Sequence, residues 1–289
     1  MLYQRFRFGL ALAFALCLAV CLKGAADPTW TEPFPAYRIV GNVYYVGSRG
    51  LASFLIATPQ GNILINSNLA TSPPLLRASV EKLGFRWRDT KILLISHAHY
   101  DHCAGSAEIK RETGARYMVM APDVRVIESG GATDFQYGQN AAMRYQPVKV
   151  DRVLHDGEQV TLGGVVLTAH LTPGHTKGCT TWTLNVPDGG KTEHVVIVGS
   201  PNVNEGYKLV HNGQYPQIAQ DYERCFRVLA ALPCDVFLGA HGAYYGMEEK
   251  YARLKAGSKN AFVDPDGYKR FVQEKDAAFR EELARQGGR

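Results

Sequence analysis

The segment Ser96-His97-Ala98-His99-Tyr100-Asp101-His102 carries three imidazoles and a carboxylate within six residues. It follows the apolar run Lys-Ile-Leu-Leu-Ile-Ser at residues 91–96, which reads as a buried strand. Groups at the carboxyl end of such a strand face a crevice, where α/β proteins build their sites. On extended backbone, His97 and His99 point to one side. Asp101 and His102 fall where the chain turns into the next helix and can point the other way. Nitrogen and oxygen donors in this mixture suit zinc. Buried together without a partner, the four groups would be costly. Two more histidines have matching contexts. His175 lies in Thr172-Pro173-Gly174-His175-Thr176-Lys177-Gly178, a turn after the strand-like residues 165–171. His241 lies in Leu238-Gly239-Ala240-His241-Gly242, at the end of another apolar run. The flanking glycines let backbone come close to a ligand. His155, His170, His194 and His211 lack such surroundings. His170 reads as a structural residue within a strand, and the other three read as surface positions.

The elements that must hold these groups alternate along the chain. Residues 37–46, 52–57 and 62–66 read as early antiparallel strands. Residues 73–83 read as a helix opening on Ser72 and Pro73. Residues 103–113 read as a helix and 116–120 as a strand. Residues 129–147, rich in Gly, Gln and Tyr, read as a long loop of the kind that often serves function. Within it, Gln136 and Tyr137 are candidates to cover the site. A second series follows: strands at 160–162, 165–171, 180–186 and 194–198, a helix at 215–232, a strand at 235–238 and a charged helix at 266–286. Two similar halves with no Pro/Ser linker between them imply two sheets with helices outside, not two separable domains.

The chain has 289 residues, 46% hydrophobic and 20% charged, which excludes disordered and collagen-like classes. Its net charge of +5 owes three bases, Arg5, Arg7 and Lys23, to the first 26 residues. Without them 29 bases face 27 acids, and no basic run of five occurs. A nucleic-acid partner is therefore not expected. Residues 1–26 have a basic start, an apolar run over 8–22 and the small residues Gly24-Ala25-Ala26 before Asp27. That is the layout of a secretory signal, cleaved after Ala26. The apolar run is short for a membrane span of about 20 residues. The expectation is a signal at 1–26 and a mature region at 27–289. That region would be exported to the periplasm, with no stable membrane association and a monomer as the default. Cys103, Cys179, Cys225 and Cys234 would remain where disulfides are permitted, and sequence alone does not choose a pairing. Helical spacing keeps Cys225 from reaching Cys234. Cys103 and Cys179 read as small packing residues.

The order and spacing of His97, His99, Asp101, His102, His175 and His241 resemble the metallo-β-lactamase superfamily across essentially the whole mature chain. The resemblance implies an α/β (α+β layered) fold. It is an αββα sandwich of two mixed β-sheets with helices on the outer faces and two zinc ions at one edge. Glyoxalase-like and lactonase-like members carry a bridging Asp after the strand that here ends Val198-Gly199-Ser200. The Ser at this position resembles subclass B3, as do Pro201, Asn202 and Glu205-Gly206-Tyr207-Lys208-Leu209. That likeness implies His97, His99 and His175 on one zinc, and Asp101, His102 and His241 on the other. It implies Asp101 as the catalytic carboxylate that orients the nucleophile, and Ser200 and Asn202 as binders of the substrate carboxylate. The implied function is an exported di-zinc hydrolase of antibiotics. It would open the β-lactam ring by attack of a zinc-bound hydroxide, with no covalent intermediate. The alternatives are a lactonase or thioester hydrolase on the same fold, or a zinc-storing protein without catalysis. The sequence also departs from the pattern. Asn66 replaces an Asp common in the superfamily and so alters support of the ligands. Tyr268 stands where several B3 enzymes place the partner of the Cys234 equivalent, so that disulfide is expected to be absent.

Overall fold

The computed structural model describes residues 27–288. The export segment expected over residues 1–26 lies outside the described residues. Seven strands form the first sheet, in sequence order. They are β1 (Tyr37–Val40), β2 (Val43–Tyr45), β3 (Phe54–Thr58), β4 (Gly61–Ile65), β5 (Thr90–Leu94), β6 (Arg116–Met120) and β7 (Arg152–Leu154). The first four pair antiparallel and the rest add in parallel. Parallel neighbours need crossovers. These contain α1 (Pro73–Lys82), the single turn α2 (Tyr100–Cys103), α3 (Ser106–Thr113) and α4 (Ala121–Glu128). The second sheet holds β8 (Gln159–Leu162), β9 (Val165–Leu171), β10 (Thr180–Asp188) and β11 (Lys191–Val198), all antiparallel. After α5 (Ile218–Ala231) the chain returns as β12 (Val236–Gly239), parallel to β11. The helices α6 (Met247–Lys255) and α7 (Pro265–Arg285) complete the described chain.

Alternation of side chains across the strands builds the layers. Phe54, Ile56, Ile63, Ile65, Ile92, Leu94, Met118 and Met120 share one buried cluster with Leu167, Ala169, Trp182 and Leu184 of the second sheet. Their neighbours Leu55, Leu64, Leu93, Tyr117 and Val119 face the opposite way, onto Leu76 and Val80 of α1, Ile109 of α3 and Ile127 of α4. On the far side α7 packs on α5 and β12, with Tyr268 and Phe271 against Phe237. The two mixed sheets with outer helices match the layered expectation. Strands covered on both faces must be apolar throughout, and this is why 91–96 could be read so easily.

The differences from the sequence reading are local. Residues 37–46 form a hairpin of two strands rather than one, because Gly41 takes a positive φ of 47° to make the turn. A Cβ there would meet Val186 Cγ1 at 2.2 Å, so only glycine fits. The helix expected over 103–113 is broken at Gly105, where backbone approaches Ser67 and Leu69. Ser72 precedes α1 with no side-chain cap; its carbonyl accepts from the Leu76 N–H instead. β7, α4 and α6 had no counterpart in the reading. Among the described residues no helix is long and apolar enough to cross a membrane.

Two hydrogen bonds tie the sheets together beside the ligand loops. The Thr180 N–H donates to Ser96 O at 2.7 Å, and the Trp182 indole N–H donates to Ile95 O at 3.0 Å. Trp182→Phe is expected to destabilise the protein by about 1–3 kcal/mol, because it leaves the Ile95 carbonyl buried without its donor. An unchanged denaturation midpoint would contradict this role.

Candidate metal centre

The six residues singled out by type and spacing converge at one edge of the sandwich. His97 and His99 follow β5, and Asp101 and His102 open α2. The loop between β9 and β10 supplies His175. His241 leaves β12 and is clamped by an isolated bridge to Leu51 and by flanking bonds from Ala52 N–H to Ala240 O and from Gly242 N–H to Gly50 O. His99 Nδ1 lies 3.1 Å from His175 Nε2, and the His97 ring stands 4.7 Å from that of His175. Asp101 Oδ2 lies 3.0 Å from His102 Nε2 and 3.6 Å from His241 Nε2, while the two imidazole nitrogens are 3.1 Å apart. Two ligands on a tetrahedral zinc stand about 3.3 Å apart at ordinary zinc–nitrogen lengths. The Asp101, His102 and His241 atoms have about this spacing, as do His99 and His175. His97, His99 and His175 offer donor atoms within 4.8 Å of one another. So do His97, Asp101 and His102. His97 Nε2 is buried with no hydrogen-bond partner, a cost that a metal would remove. The residues present therefore fit a metal.

The surroundings hold the rings in the form a metal needs. His175 Nδ1 donates to Asn202 O at 2.9 Å, which leaves the lone pair on Nε2. The Tyr207 hydroxyl donates to His175 O, and the Tyr222 hydroxyl to Asn202 O. Burial, reinforced by neighbouring imidazoles, pushes His97 and His175 well below the usual histidine value. Burial and His102 bring His241 down to about 4. Burial alone would raise Asp101, but His102 and His241 hold it below the usual carboxylate range.

Asn66, the departure from the superfamily pattern, is buried behind the ligand loop. Its Oδ1 accepts from the Ser96 N–H at 2.8 Å and its Nδ2 donates to Ala52 O at 3.2 Å. An amide makes both bonds, whereas a carboxylate could make only the first. Asn66 thus braces the residue before His97.

A cavity of about 440 Å³ opens over the cluster. His99, Asp101, His175, His241, Asn202 and Tyr137 are among its lining residues, together with Trp30, Tyr100 and Tyr244. Gln136 instead bonds Gly206 O and joins the 129–147 loop to the loop after β11. Ser200 is 2% exposed and is not among the lining residues. Its Oγ lies 3.1 Å from the Tyr244 hydroxyl, which also accepts from Asn202 Nδ2 at 2.8 Å. The four described cysteines are free thiols, and Tyr268 donates its hydroxyl to Leu229 O. Burial raises Cys103 and pushes Cys179 up to about 12, so neither offers a ready thiolate. His170 sits half-buried against Thr183, and His194 pairs with Asp235 at the surface.

Sequence reasoning missed Asp123, Asp134 and Tyr244. Asp134 is buried with Oδ2 3.6 Å from His99 Nε2, and its Oδ1 accepts from the Gln136 and Tyr137 N–H groups. Burial would raise it, but the His99 imidazole holds it below the usual carboxylate value. Burial pushes Asp123 up to about 6 in spite of its hydrogen bonds. Nothing local in the sequence marks these residues.

The model of the metallo-beta-lactamase superfamily matches residues 47–188. The native FEZ-1 metallo-beta-lactamase of Legionella gormanii is 55% identical; the match covers 89% of this chain and 98% of that one, with a TM-score of 0.88. BJP-1, a subclass B3 metallo-beta-lactamase of Bradyrhizobium japonicum, is 38% identical over 90% of this chain and 97% of that one, with a TM-score of 0.85. A hydroxyacylglutathione hydrolase of Methylobacterium nodulans is 36% identical over 89 residues, 31% of this chain and 27% of its own. The chain spans less than two thirds of the length of that relative and of other curated relatives it matches. This chain belongs to the metallo-β-lactamase superfamily. It is a zinc-dependent hydrolase of the class B, subclass B3-like type.

The histidine shifts carry a pH signature. His241 stays neutral in the folded chain down to about 4, whereas its unfolded value is 6.5. The unfolded chain therefore binds the proton first, and the metal-free fold loses stability as pH falls from 6.5 through about 4. Melting temperature of chelator-treated protein against pH checks this. A flat profile across that interval would contradict it.

Proposed function

We propose that residues 27–289 are exported to the periplasm after cleavage of the first 26 residues. There they fold as one metallo-β-lactamase-like domain that binds two zinc ions and hydrolyses the β-lactam ring of antibiotics as a monomer, without a covalent intermediate. The observation that carries this reading is the convergence of His97, His99, Asp101, His102, His175 and His241 beside one open cavity. His97, His99 and His175 would hold the first zinc, and Asp101, His102 and His241 the second. When bound, the pair supplies Lewis acidity, activating water at neutral pH and balancing charge that develops on the opening ring.

The chain's own groups do the rest. Asp101 is the one carboxylate within the ligand cluster and orients the attacking water. Burial keeps His97, His175 and His241 unprotonated and ready to bind. Asn202 and the Tyr244 hydroxyl face the substrate carboxylate, and Ser200 acts through its contact with Tyr244. Trp30, Tyr100 and Tyr137 form apolar walls in a cavity of the size that takes a small-molecule ligand.

A lactonase or thioester hydrolase is the second reading, supported by the partial likeness to hydroxyacylglutathione hydrolases. Against it, β11 runs into Val198-Gly199-Ser200 with no acid at that point. One assay separates the two. Carbapenem and cephalosporin absorbance is followed with purified residues 27–289 in zinc, then after a chelator. Chelator-sensitive loss of the lactam chromophore is expected. His97→Ala or His241→Ala should abolish it, a larger effect than the about 10–100-fold typical of losing an outer hydrogen-bond partner. Turnover of lactones or thioesters with intact lactams would favour the second reading.

A further inference from the structure

His97 and His99 come from the first sheet, whereas His175 comes from the second. A metal shared by these three needs the two loops held at one separation. The inter-sheet bonds of Thr180 and Trp182 end on Ser96 and Ile95, before the ligands begin. Asp123 goes further, since it bonds both ligand loops themselves. It sits in the first turn of α4 and is 1% exposed. Its Oδ2 accepts from the Ala98 N–H at 2.9 Å, between His97 and His99. The same oxygen accepts from the Thr176 hydroxyl at 2.8 Å, next to His175. Its Oδ1 accepts from the Gly178 N–H at 2.8 Å. An ionised carboxylate is acceptor-only, with about four lone-pair sites, and so can serve all three donors. The approach also depends on Gly178: a Cβ there would stand 2.7 Å from Asp123 Cγ and from its backbone nitrogen.

We propose that Asp123 is a positioning residue that spans the two ligand loops and sets the geometry of the metal site formed by His97, His99 and His175. The proposal rests on the reading of those histidines as one zinc site. An amide cannot replace the carboxylate. If Asn keeps its oxygen on Ala98 and Thr176, its NH2 meets the Gly178 N–H, donor against donor. The sheets share a core and two further bonds, so Asp123→Asn is expected to fold. Thr176→Val removes one of the three bonds and leaves the carboxylate in place.

Zinc affinity separates positioning from mere support. Residues 27–289 are titrated with zinc against a chromophoric chelator, and the melting temperature of the metal-free protein is recorded alongside. Wild type is expected to bind two zinc ions. Asp123→Asn should bind one of the two about 10–100-fold more weakly, as when an outer partner of a metal ligand is lost. Thr176→Val should shift the same site in the same direction by less. If Asp123→Asn does not fold, Thr176→Val decides alone. Wild-type zinc affinity in the folded variants, even with lowered melting temperatures, overturns the proposal while the two-zinc reading stands. A wild-type chain that takes up no zinc overturns both.

Discussion

Bringing five imidazoles and a carboxylate together away from water is the constraint on which this structure depends. Left unpaired, such groups carry a large desolvation cost. Here the cost shows as histidines held far below their usual protonation range and as an unpartnered nitrogen on His97. His175 Nδ1 is pinned by Asn202 O and His97 Nδ1 meets the Ser96 hydroxyl, which leaves the other nitrogen of each ring to the cluster. A site of this kind is poised to gain from a cation.

The fold meets the constraint by dividing these groups between two sheets. One sheet ends in the His97–His102 segment, and the other supplies the His175 turn and the strand before His241. The apolar cluster between the sheets brings those ends into register. Hydrogen bonds from Asn66, Trp182 and Asp123 then refine the positions of the residues next to the ligands. The loops 129–147 and 201–209 close over the result and meet through Gln136, Tyr137 and Asn204. The same division leaves a gap of small-molecule size at the edge.

The cluster of His97, His99, Asp101, His102, His175 and His241 was legible because its signal is local: close spacing in one segment, and glycine-flanked histidines at strand ends. The strands of 116–120 and 165–171 were legible because buried strands are continuous or alternating in apolar character. The hairpin at Gly41 was not, because one Gly-Asn pair interrupts an otherwise strand-like run on both sides. Asp123 follows Ala121-Pro122 and looks like an ordinary first-turn acid of a helix. Its partners lie 25 and more residues away, so its function exists only in the folded chain. Tyr244 is similar: it became visible only once Ser200 and Asn202 were seen to bond it.

The central claim is that six side chains form two adjacent zinc sites. Anomalous diffraction at the zinc edge, from crystals of residues 27–289 grown with zinc, tests it most directly. The account predicts two peaks in one cavity, one among His97, His99 and His175 and one among Asp101, His102 and His241. A single peak shared by all six residues, or peaks held by other side chains, would contradict it.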